Sequence, residues 1–419
     1  MERRTFLVAA AAGIAGAARA QREPSANAGN VPEAIRKLRP MLDGVQPISD
    51  AERQDRIEKA RRLMRENRLG AIVLEGGSSL FYFTGTRLMP SDPPGVAVLP
   101  AKGELTWIVA DADTRATAAI RGGGDVRHYG AGESPYALAA DALRDRGAAS
   151  GRVGIEERVR FGVYLGLRQF ASAADYVSAD PVTVGCRVIK SPAEIALMQR
   201  ANEITIACYR AVYETLREGM TTADVRGNIA AAYHALGVSG AALVSFGKYT
   251  AFPHGSIEEQ MLKEGDFVLM DDGCSVEGYQ SDITRTFIFG KPTQRQRDVW
   301  ALERKAQDAA LAAAKPGSAC ESVDAAARKV ITDAGFGPGY KVPGLPHRAG
   351  HGIGLDGHEW TYLVKGNKTR LEPGMCFSDE PMIAIYGEFG VRLEDCMHIT
   401  EDGARMFTRQ SPAIDQPFG

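Results

Sequence analysis

The sequence predicts an α/β domain followed by an α+β domain, and three observations support this. The chain has 419 residues, which is more than one ordinary hydrophobic core accommodates. Over residues 51–184 helical and extended patterns alternate, as in α/β proteins. Over residues 185–419 the helices and the antiparallel-type strands are grouped, which favours α+β. These patterns set the predicted domain boundaries.

The first domain is predicted from hydrophobic periodicity. The expected elements are a helix over 52–67, a strand over 71–74, a hairpin over 96–109 that turns at PAKG, helices near 113–121 and 135–145, and a closing strand at RVGIEE. The segment contains no glycine-rich phosphate loop and no group of catalytic residues. We therefore expect it to shape the protein or to assemble it.

The second domain begins at KSPAEIALMQRANE. Ser191 is a predicted N-cap, Pro192 occupies the first helical position, and Glu194 completes a capping box. Further helices are predicted from Thr221 to before Gly237, over 293–314 and over 320–334. The segments between and after them are rich in Val, Ile, Phe and Thr, which favours strands.

The N-terminus resembles a twin-arginine export signal. Residues 1–20 read MERRTFLVAAAAGIAGAARA, with paired arginines, a mildly apolar stretch and a small-residue cleavage pattern. This predicts a mature start at Gln21 and a periplasmic location; a frayed N-terminal helix is the alternative. Residues 21–50 are expected to form a flexible lead-in.

Composition excludes several classes of function. The net charge is −2, with 44% apolar and 24% charged residues, which argues against a nucleic-acid or anionic-membrane surface. No run of about 18 apolar residues occurs, so a membrane-spanning helix is not expected. The six cysteines lack metal or redox spacing, and we expect them to be buried thiols.

One pair of acidic residues flanks a glycine-containing turn in the second domain. Asp271 ends an apolar run and Asp282 begins the next one. Two strands joined in this way bring both carboxylates to one region of a sheet. The alternative is that both are ordinary turn aspartates.

A second pair lies near the C-terminus. Glu380 precedes a proline, and Glu394 lies within the predicted apolar strand 391–399. Arg392 is two residues from Glu394 and therefore shares its strand face. Burial of Glu394 costs several kcal/mol, roughly, unless its charge is matched, and an exposed salt-bridged strand is the alternative.

Three of the seven histidines, His347, His351 and His358, fall in the segment HRAGHGIGLDGHEW. Together with four carboxylates, one imidazole completes an oxygen-rich ligand set. Such a set suits two divalent cations better than a tetrahedral Cys/His zinc site. Two metals roughly 3.5–4 Å apart can share a hydroxide and polarise a carbonyl.

The strings DDGCSVEGYQSDITRTF, HRAGHGIGLDGHE, LEPGMCFSDEP and GEFGVRLED resemble signatures of the pita-bread metallopeptidases. This family includes aminopeptidase P, prolidase and methionine aminopeptidase, with creatinase as a metal-free relative. The resemblance covers about residues 51–410. It implies a creatinase-like N-terminal domain, a pita-bread catalytic domain, and five metal ligands: Asp271, Asp282, His351, Glu380 and Glu394.

The resemblance also implies roles for these ligands. Asp271 chelates one metal, Asp282 and Glu394 bridge both, and His351 with Glu380 completes the other. Glu380 is also the expected general base, which takes a proton from the bridging water.

Four further residues receive roles from the same resemblance. His347 and His358 hold the substrate carbonyl and stabilise the oxyanion, and His254 in FPHGS lies beside the substrate. Arg392 orients the site through Glu394 or contacts substrate; a purely structural ion pair with a buried carboxylate is equally open.

Three positions depart from the family pattern: Met382, Asp379 and Arg348. We expect these changes to touch the rim of the pocket. Asp379 should point to the strand face opposite Glu380 and should not bind metal.

The implied activity is hydrolysis of the bond before proline, at a peptide N-terminus or in an Xaa-Pro dipeptide. No residue separates these two substrate lengths. The alternatives are a same-fold hydrolase of a non-peptide amide and a non-catalytic binding protein. Mn²⁺ fits the ligand set best, with Zn²⁺, Co²⁺ or Fe²⁺ open. The resemblance further implies a homodimer or a higher homo-oligomer.

Overall fold

The computed structural model describes residues 31–92 and 94–418, so the predicted export signal lies outside the described residues. The first part of the chain contains α1 (Glu33–Arg36), α2 (Asp50–Glu66), β1 (Leu69–Glu75), α3 (Ser78–Thr84), β2 (Val96–Pro100), β3 (Thr106–Ala110), α4 (Thr114–Ala119), β4 (Asp125–Tyr129), α5 (Pro135–Asp145), β5 (Arg152–Ile155), α6 (Phe161–Phe170), β6 (Asp175–Ser178) and α7 (Asp180–Arg187).

The second part begins with two helices and ends in strands. It contains α8 (Pro192–Tyr213), α9 (Thr222–Ala235), β7 (Leu243–Phe246), a 3₁₀ turn (Gly247–Ala251), β8 (Phe267–Asp272), β9 (Ser275–Val276), β10 (Tyr279–Gln280), β11 (Ile283–Ile288), α10 (Gln294–Ala313), α11 (Cys320–Asp333), β12 (Gly350–Gly352), β13 (Glu359–Leu363), β14 (Cys376–Asp379), β15 (Met382–Ile385), β16 (Phe389–Arg392), β17 (Asp395–Ile399) and β18 (Ala404–Met406).

The first domain is a mixed six-stranded sheet with strand order β4-β3-β2-β1-β5-β6. Strands β1, β2 and β3 are antiparallel neighbours, and the other pairs are parallel. The hairpin β2–β3 confirms the predicted turn at PAKG. The predicted closing strand is β5, but α6, β6 and α7 follow it. Strand β6 has no fully buried residue, so its apolar pattern was too weak to read.

The second domain is α+β, as predicted. Its main sheets have the orders β11-β8-β7 and β13-β12-β14-β17-β18, and β15 pairs with β16. Helix α8 begins with the predicted capping box: the Ser191 side chain accepts from the Glu194 N–H, and the Glu194 carboxylate accepts from the Ser191 N–H. All six cysteines are buried and free, as expected. Within the described ranges no helix has both the length and the apolarity needed to cross a bilayer.

Two predicted boundaries are wrong. The boundary between 184 and 185 falls inside helix α7, because this helix continues the apolar face of the first domain up to Cys186. The flexible lead-in proposed for 21–50 is also wrong for residues 31–50, the part that the structure describes. Ile35 on α1 is buried against the shared core, and the Met41 N–H donates to the Leu236 carbonyl at 3.0 Å.

The predicted continuous strand over 391–399 is interrupted. Strand β16 ends at Arg392 and β17 begins at Asp395, so Glu394 lies between two sheets. Its N–H donates to the Thr284 carbonyl on β11 at 3.1 Å. This bend turns the Glu394 carboxylate toward the end of β11 instead of along one sheet face.

Close backbone approach places β12 beside β14. A Cβ on Gly350 would lie 2.2 Å from the Ser378 carbonyl oxygen, so only glycine fits there. The contact sets the distance between His351 on β12 and Glu380 at the end of β14. The glycine spacing in HRAGHG is therefore a packing requirement.

Replacement of this glycine should damage the site as well as the fold. We expect Gly350→Ala to force β12 away from β14 and to lower the free energy of unfolding by about 2–3 kcal/mol, in the range of overpacking. Urea unfolding and titration with Mn²⁺ measure both effects. Gly403→Ala is the control, because nothing lies within 4 Å of its added Cβ. An equal change in the free energy of unfolding and in Mn²⁺ affinity for the two variants would contradict the packing argument.

Candidate metal centre

The five predicted ligands line one cleft of about 320 Å³. They come from five places in the second domain: Asp271 is the penultimate residue of β8, Asp282 precedes β11, His351 lies on β12, Glu380 follows β14, and Glu394 lies between β16 and β17. Ligand atoms within 4.8 Å of one another form three overlapping groups. These groups are His351 with Glu380 and Glu394, Asp271 with Asp282 and Glu394, and Asp282 with His351 and His358.

His351 presents an unprotonated nitrogen to carboxylates. Its Nδ1 lies 3.1 Å from the Gly352 carbonyl oxygen, which can only accept, so Nδ1 carries the proton. Burial lowers the pKa of His351 well below its usual value, so the ring is neutral and Nε2 has a free lone pair. Nε2 lies 3.3 Å from Glu380 Oε1 and 3.6 Å from Asp282 Oδ2. Acceptors that face one another at these distances fit a shared cation.

The negative charge of the four carboxylates is greater than the positive charge of the side chains around them. Burial, together with the other carboxylates, raises the pKa of Asp282 and of Glu394 well above the usual range. Burial raises the pKa of Glu380 to about 7, although Arg392 opposes the shift. Glu394 Oε1 is buried without a hydrogen-bond partner among the described residues. An oxygen-rich set of this kind fits hard divalent cations.

Arg392 pairs with Asp271, and its predicted action through Glu394 is indirect. Its Nη2 donates to Asp271 Oδ2, and its Nε donates to Thr284 Oγ1 at 3.0 Å. The Thr284 hydroxyl lies 2.6 Å from both Asp271 Oδ1 and Glu394 Oε2. Arg392 also donates to the Pro253 carbonyl, so it is a structural partner of the partly buried Asp271 carboxylate and part of the cleft wall.

The other predicted histidines also line the cleft. His347 Nδ1 lies 2.7 Å from the Arg348 carbonyl oxygen and must donate to it, which leaves Nε2 as an acceptor. Burial lowers the pKa of His347 to about 3. His358 has the opposite tautomer, because the Arg348 guanidinium donates to its Nδ1 at 3.1 Å and the proton lies on Nε2. His254 borders the cleft beside Pro253.

Two known protein families match the sequence of this chain. The sequence model described as "Metallopeptidase family M24" matches residues 196–401, and that of the "Creatinase/Prolidase N-terminal domain" matches 56–189. The Xaa-Pro dipeptidase of Lactobacillus helveticus is 33% identical over 84% of this chain and 96% of its own. The chain belongs to metallopeptidase family M24. It is therefore a metallopeptidase with a creatinase-like N-terminal domain and a pita-bread catalytic domain.

Solved structures of M24 proteins show the same fold. The dipeptidase PepE of Mycobacterium ulcerans is 31% identical and superposes with a TM-score of 0.81, covering 88% of this chain and 99% of its own. The prolidase of Thermococcus sibiricus is 28% identical, with a TM-score of 0.78 over 85% of this chain and 96% of its own.

The three residues that depart from the family pattern lie in different places in this M24 enzyme. Arg348 lines the cleft, but Met382 and Asp379 are fully buried, so the expectation that they touch the rim is wrong for these two. Asp379 opposes Asp395 across β14 and β17, and burial raises its pKa well above the usual range. It belongs to none of the three ligand groups.

Sequence reasoning missed two residues of the site, Thr284 and Asp272. Thr284 is two positions after Asp282, and this spacing on a strand would have placed it on the ligand face. Asp272 lines the cleft beside Asp271 although strand alternation predicts opposite faces. Its φ of +127°, rare for a residue with a Cβ, breaks the alternation at the end of β8.

The Thr284 hydroxyl should control metal affinity in this M24 enzyme. Thr284→Val removes the group between Asp271 and Glu394 and leaves Arg392 Nε without its acceptor. We expect the affinity for Mn²⁺ to fall about 10- to 100-fold, as for other supports of ligand side chains. Isothermal titration calorimetry measures this effect. Thr284→Ser keeps the hydroxyl, and its affinity for Mn²⁺ should be within a few-fold of that of wild type. If Thr284→Ser lowers the affinity as much as Thr284→Val does, the hydroxyl does not control metal binding.

Proposed function

We propose that this protein is a dinuclear-metal peptidase that hydrolyses the bond before proline, with Xaa-Pro dipeptides as its principal substrates. The observation that carries the metal centre is the unprotonated Nε2 of His351, which faces the carboxylates of Glu380 and Asp282. The substrate class is supported by relatives named Xaa-Pro dipeptidase and prolidase. Dipeptides are favoured over longer peptides because the M. ulcerans relative is also named a dipeptidase.

The five cleft residues would hold two divalent cations. Asp271 and Asp282 would serve one side, His351 and Glu380 the other, and Glu394 would lie between them, since it belongs to both groups. Mn²⁺ fits four carboxylates and one imidazole best. When bound, such cations supply Lewis acidity for the scissile carbonyl and lower the pKa of water toward neutrality.

Glu380 is the proton carrier of the proposed reaction. It lies at the edge of the ligand set, and the Ser378 hydroxyl donates to its Oε1 at 3.4 Å. Burial raises its pKa to about 7, near the value that suits a general base at neutral pH. Glu380 would accept the proton of the attacking water and deliver it to the prolyl nitrogen.

The two flanking histidines would have different roles. His358 carries its proton on Nε2 and can donate to the carbonyl oxygen as negative charge develops there. His347 presents an acceptor, so it cannot stabilise an oxyanion in this tautomer, contrary to the role that the resemblance implies. We assign it to a donor on the substrate, such as the terminal ammonium. Leu243 and Pro253 add an apolar wall that suits a prolyl ring.

Two further proposals rest on sequence alone. The paired Arg3 and Arg4, followed by a mildly apolar stretch, support export by the twin-arginine route to the periplasm. The family resemblance supports a homodimer or a higher homo-oligomer.

A substrate panel tests the proposed function. Purified protein is stripped of metal, reloaded with Mn²⁺ and assayed with Ala-Pro, Ala-Pro-Ala and Ala-Ala. We expect rapid release of proline from Ala-Pro, weak or no cleavage of the tripeptide, and no cleavage of Ala-Ala. Cleavage of the tripeptide alone would instead indicate an aminopeptidase. No cleavage by the metal-loaded protein would contradict the proposal.

Metal affinity should weaken as the pH falls. A carboxylate with a raised pKa holds its proton below that pKa and must release it to bind a cation. Because the pKa of Glu380 is about 7, we expect the Kd for Mn²⁺ to rise about tenfold per pH unit below pH 7, with proton release on binding. Titration calorimetry at pH 6 and 8, in buffers of different ionisation enthalpy, counts the protons. A Kd independent of pH would contradict the buried carboxylate arrangement.

A further inference from the structure

The turn that carries His358 is tied to the N-terminal domain by buried ion pairs. Two acidic residues flank His358: Asp356 lies in the turn between β12 and β13, and Glu359 is the first residue of β13. Arg187, the last residue of α7, donates through Nη2 to Asp356 Oδ2 at 2.7 Å and also to Glu359 Oε1. Its Nη1 donates to Ser79 Oγ on α3 at 3.0 Å. One guanidinium therefore joins the catalytic turn to two helices of the other domain.

Glu359 in turn is hydrogen-bonded to the backbone of the turn. Its Oε1 accepts from the N–H groups of Leu355 and Asp356 at 2.8 and 3.2 Å, and Lys190 Nζ donates to Oε2 at 3.0 Å. Burial alone would raise the pKa of Glu359, but Lys190 and Arg187 lower it to about 2. An ionised carboxylate with four donors makes strong, directional hydrogen bonds.

His358 lies between the catalytic cleft and this ion cluster. It borders the cleft on one side, and on the other it borders a small cavity lined by Ser79, Arg187 and Glu359. The centroid of its ring is 3.9 Å from that of His351. Movement of the turn therefore changes the direction of the His358 Nε2–H relative to the metal ligands.

We propose that Arg187 is a positioning residue for catalysis: it holds the turn so that the His358 Nε2–H points to the reacting carbonyl oxygen. Ser78 and Arg158 of the N-terminal domain also bind Asp356, so this domain acts on the reaction through the turn. This inference rests on the proposed role of His358. A shift of about 1 Å in a catalytic group can cost about 100-fold in rate.

A second buried arginine offers a matched control. Arg56 on α2 also crosses between the domains: its Nη2 lies 3.5 Å from Glu194 Oε1 and 3.2 Å from the Tyr279 hydroxyl. Arg56 and Arg187 are similarly buried, 5% and 8% exposed. Within the described residues the hydrogen bonds and ion pairs of Arg56 go to segments other than the turn that carries His358, so removal of Arg56 should reduce stability without changing the position of the imidazole.

A double-mutant cycle tests the inference. The kcat for Ala-Pro is measured for wild type, Arg187→Met, His358→Ala and the double variant, all loaded with Mn²⁺. We expect Arg187→Met alone to lower kcat about 10- to 100-fold with little change in KM. In the His358→Ala background the same substitution should change kcat less than about twofold, because its effect passes through His358. Arg56→Met should change kcat by the same factor in the wild-type and the His358→Ala backgrounds.

Hydrogen exchange provides a readout that does not depend on activity. Arg187→Met should speed amide exchange in residues 353–360, and Arg56→Met should not. If Arg187→Met fails to fold, Arg187→Lys replaces it in the cycle, since lysine keeps the charge but not the bidentate fork. An equal loss of kcat in both backgrounds, or protection unchanged at 353–360, would overturn the inference. A His358→Ala variant with wild-type kcat would instead overturn the proposed role of His358, and the inference with it.

Discussion

The catalytic domain of this protein depends on a cluster of hydrogen-bond acceptors that have no donor among themselves. His351 Nε2 lies 3.3 Å from Glu380 Oε1 and 3.6 Å from Asp282 Oδ2, yet once the carboxylates ionise none of these atoms brings a proton to the contact. Buried like charges cost several kcal/mol per ion, roughly, unless a cation offsets them. The scaffold must therefore hold these groups together against repulsion, which bound divalent cations would relieve.

Strand β11 supplies most of this restraint. The Thr284 hydroxyl bridges Asp271 and Glu394, and the Thr286 hydroxyl donates to the Arg392 carbonyl at 2.7 Å. Between them, Arg285 is completely buried; it donates to the Glu394 carbonyl at 2.9 Å and pairs with Asp395 at 2.7 Å. Every residue in this run is hydrogen-bonded to the bend between β16 and β17. The bend can therefore leave the regular sheet without exposing backbone groups.

Sequence reasoning predicted the architecture and assembled the ligand set, for identifiable physical reasons. Capping boxes such as Ser191 with Glu194 are local, so they can be read from adjacent residues. The ligands were found through motif strings, and the structure brings all five to one cleft. Features that depend on distant partners were not predictable: the pairing of Arg392 with Asp271, the burial of Met382, and the packing of Ile35 against the core. Alternation rules also failed wherever the backbone bends, as at Asp272 and Glu394.

The gathering of three histidines in one short segment has a physical explanation in their tautomers. Each ring is held by a different neighbour: His351 by a carbonyl, His347 by another carbonyl, and His358 by a guanidinium. A neutral imidazole can offer either a lone pair or an N–H from the same geometric position. Burial lowers the pKa of His347 and His351, and partial desolvation together with Arg348 lowers that of His358, which favours the neutral form of all three rings. A lysine or arginine in their place would neutralise the carboxylates and compete with a cation. The three imidazoles thus place acceptor and donor nitrogens along one cleft without themselves adding positive charge.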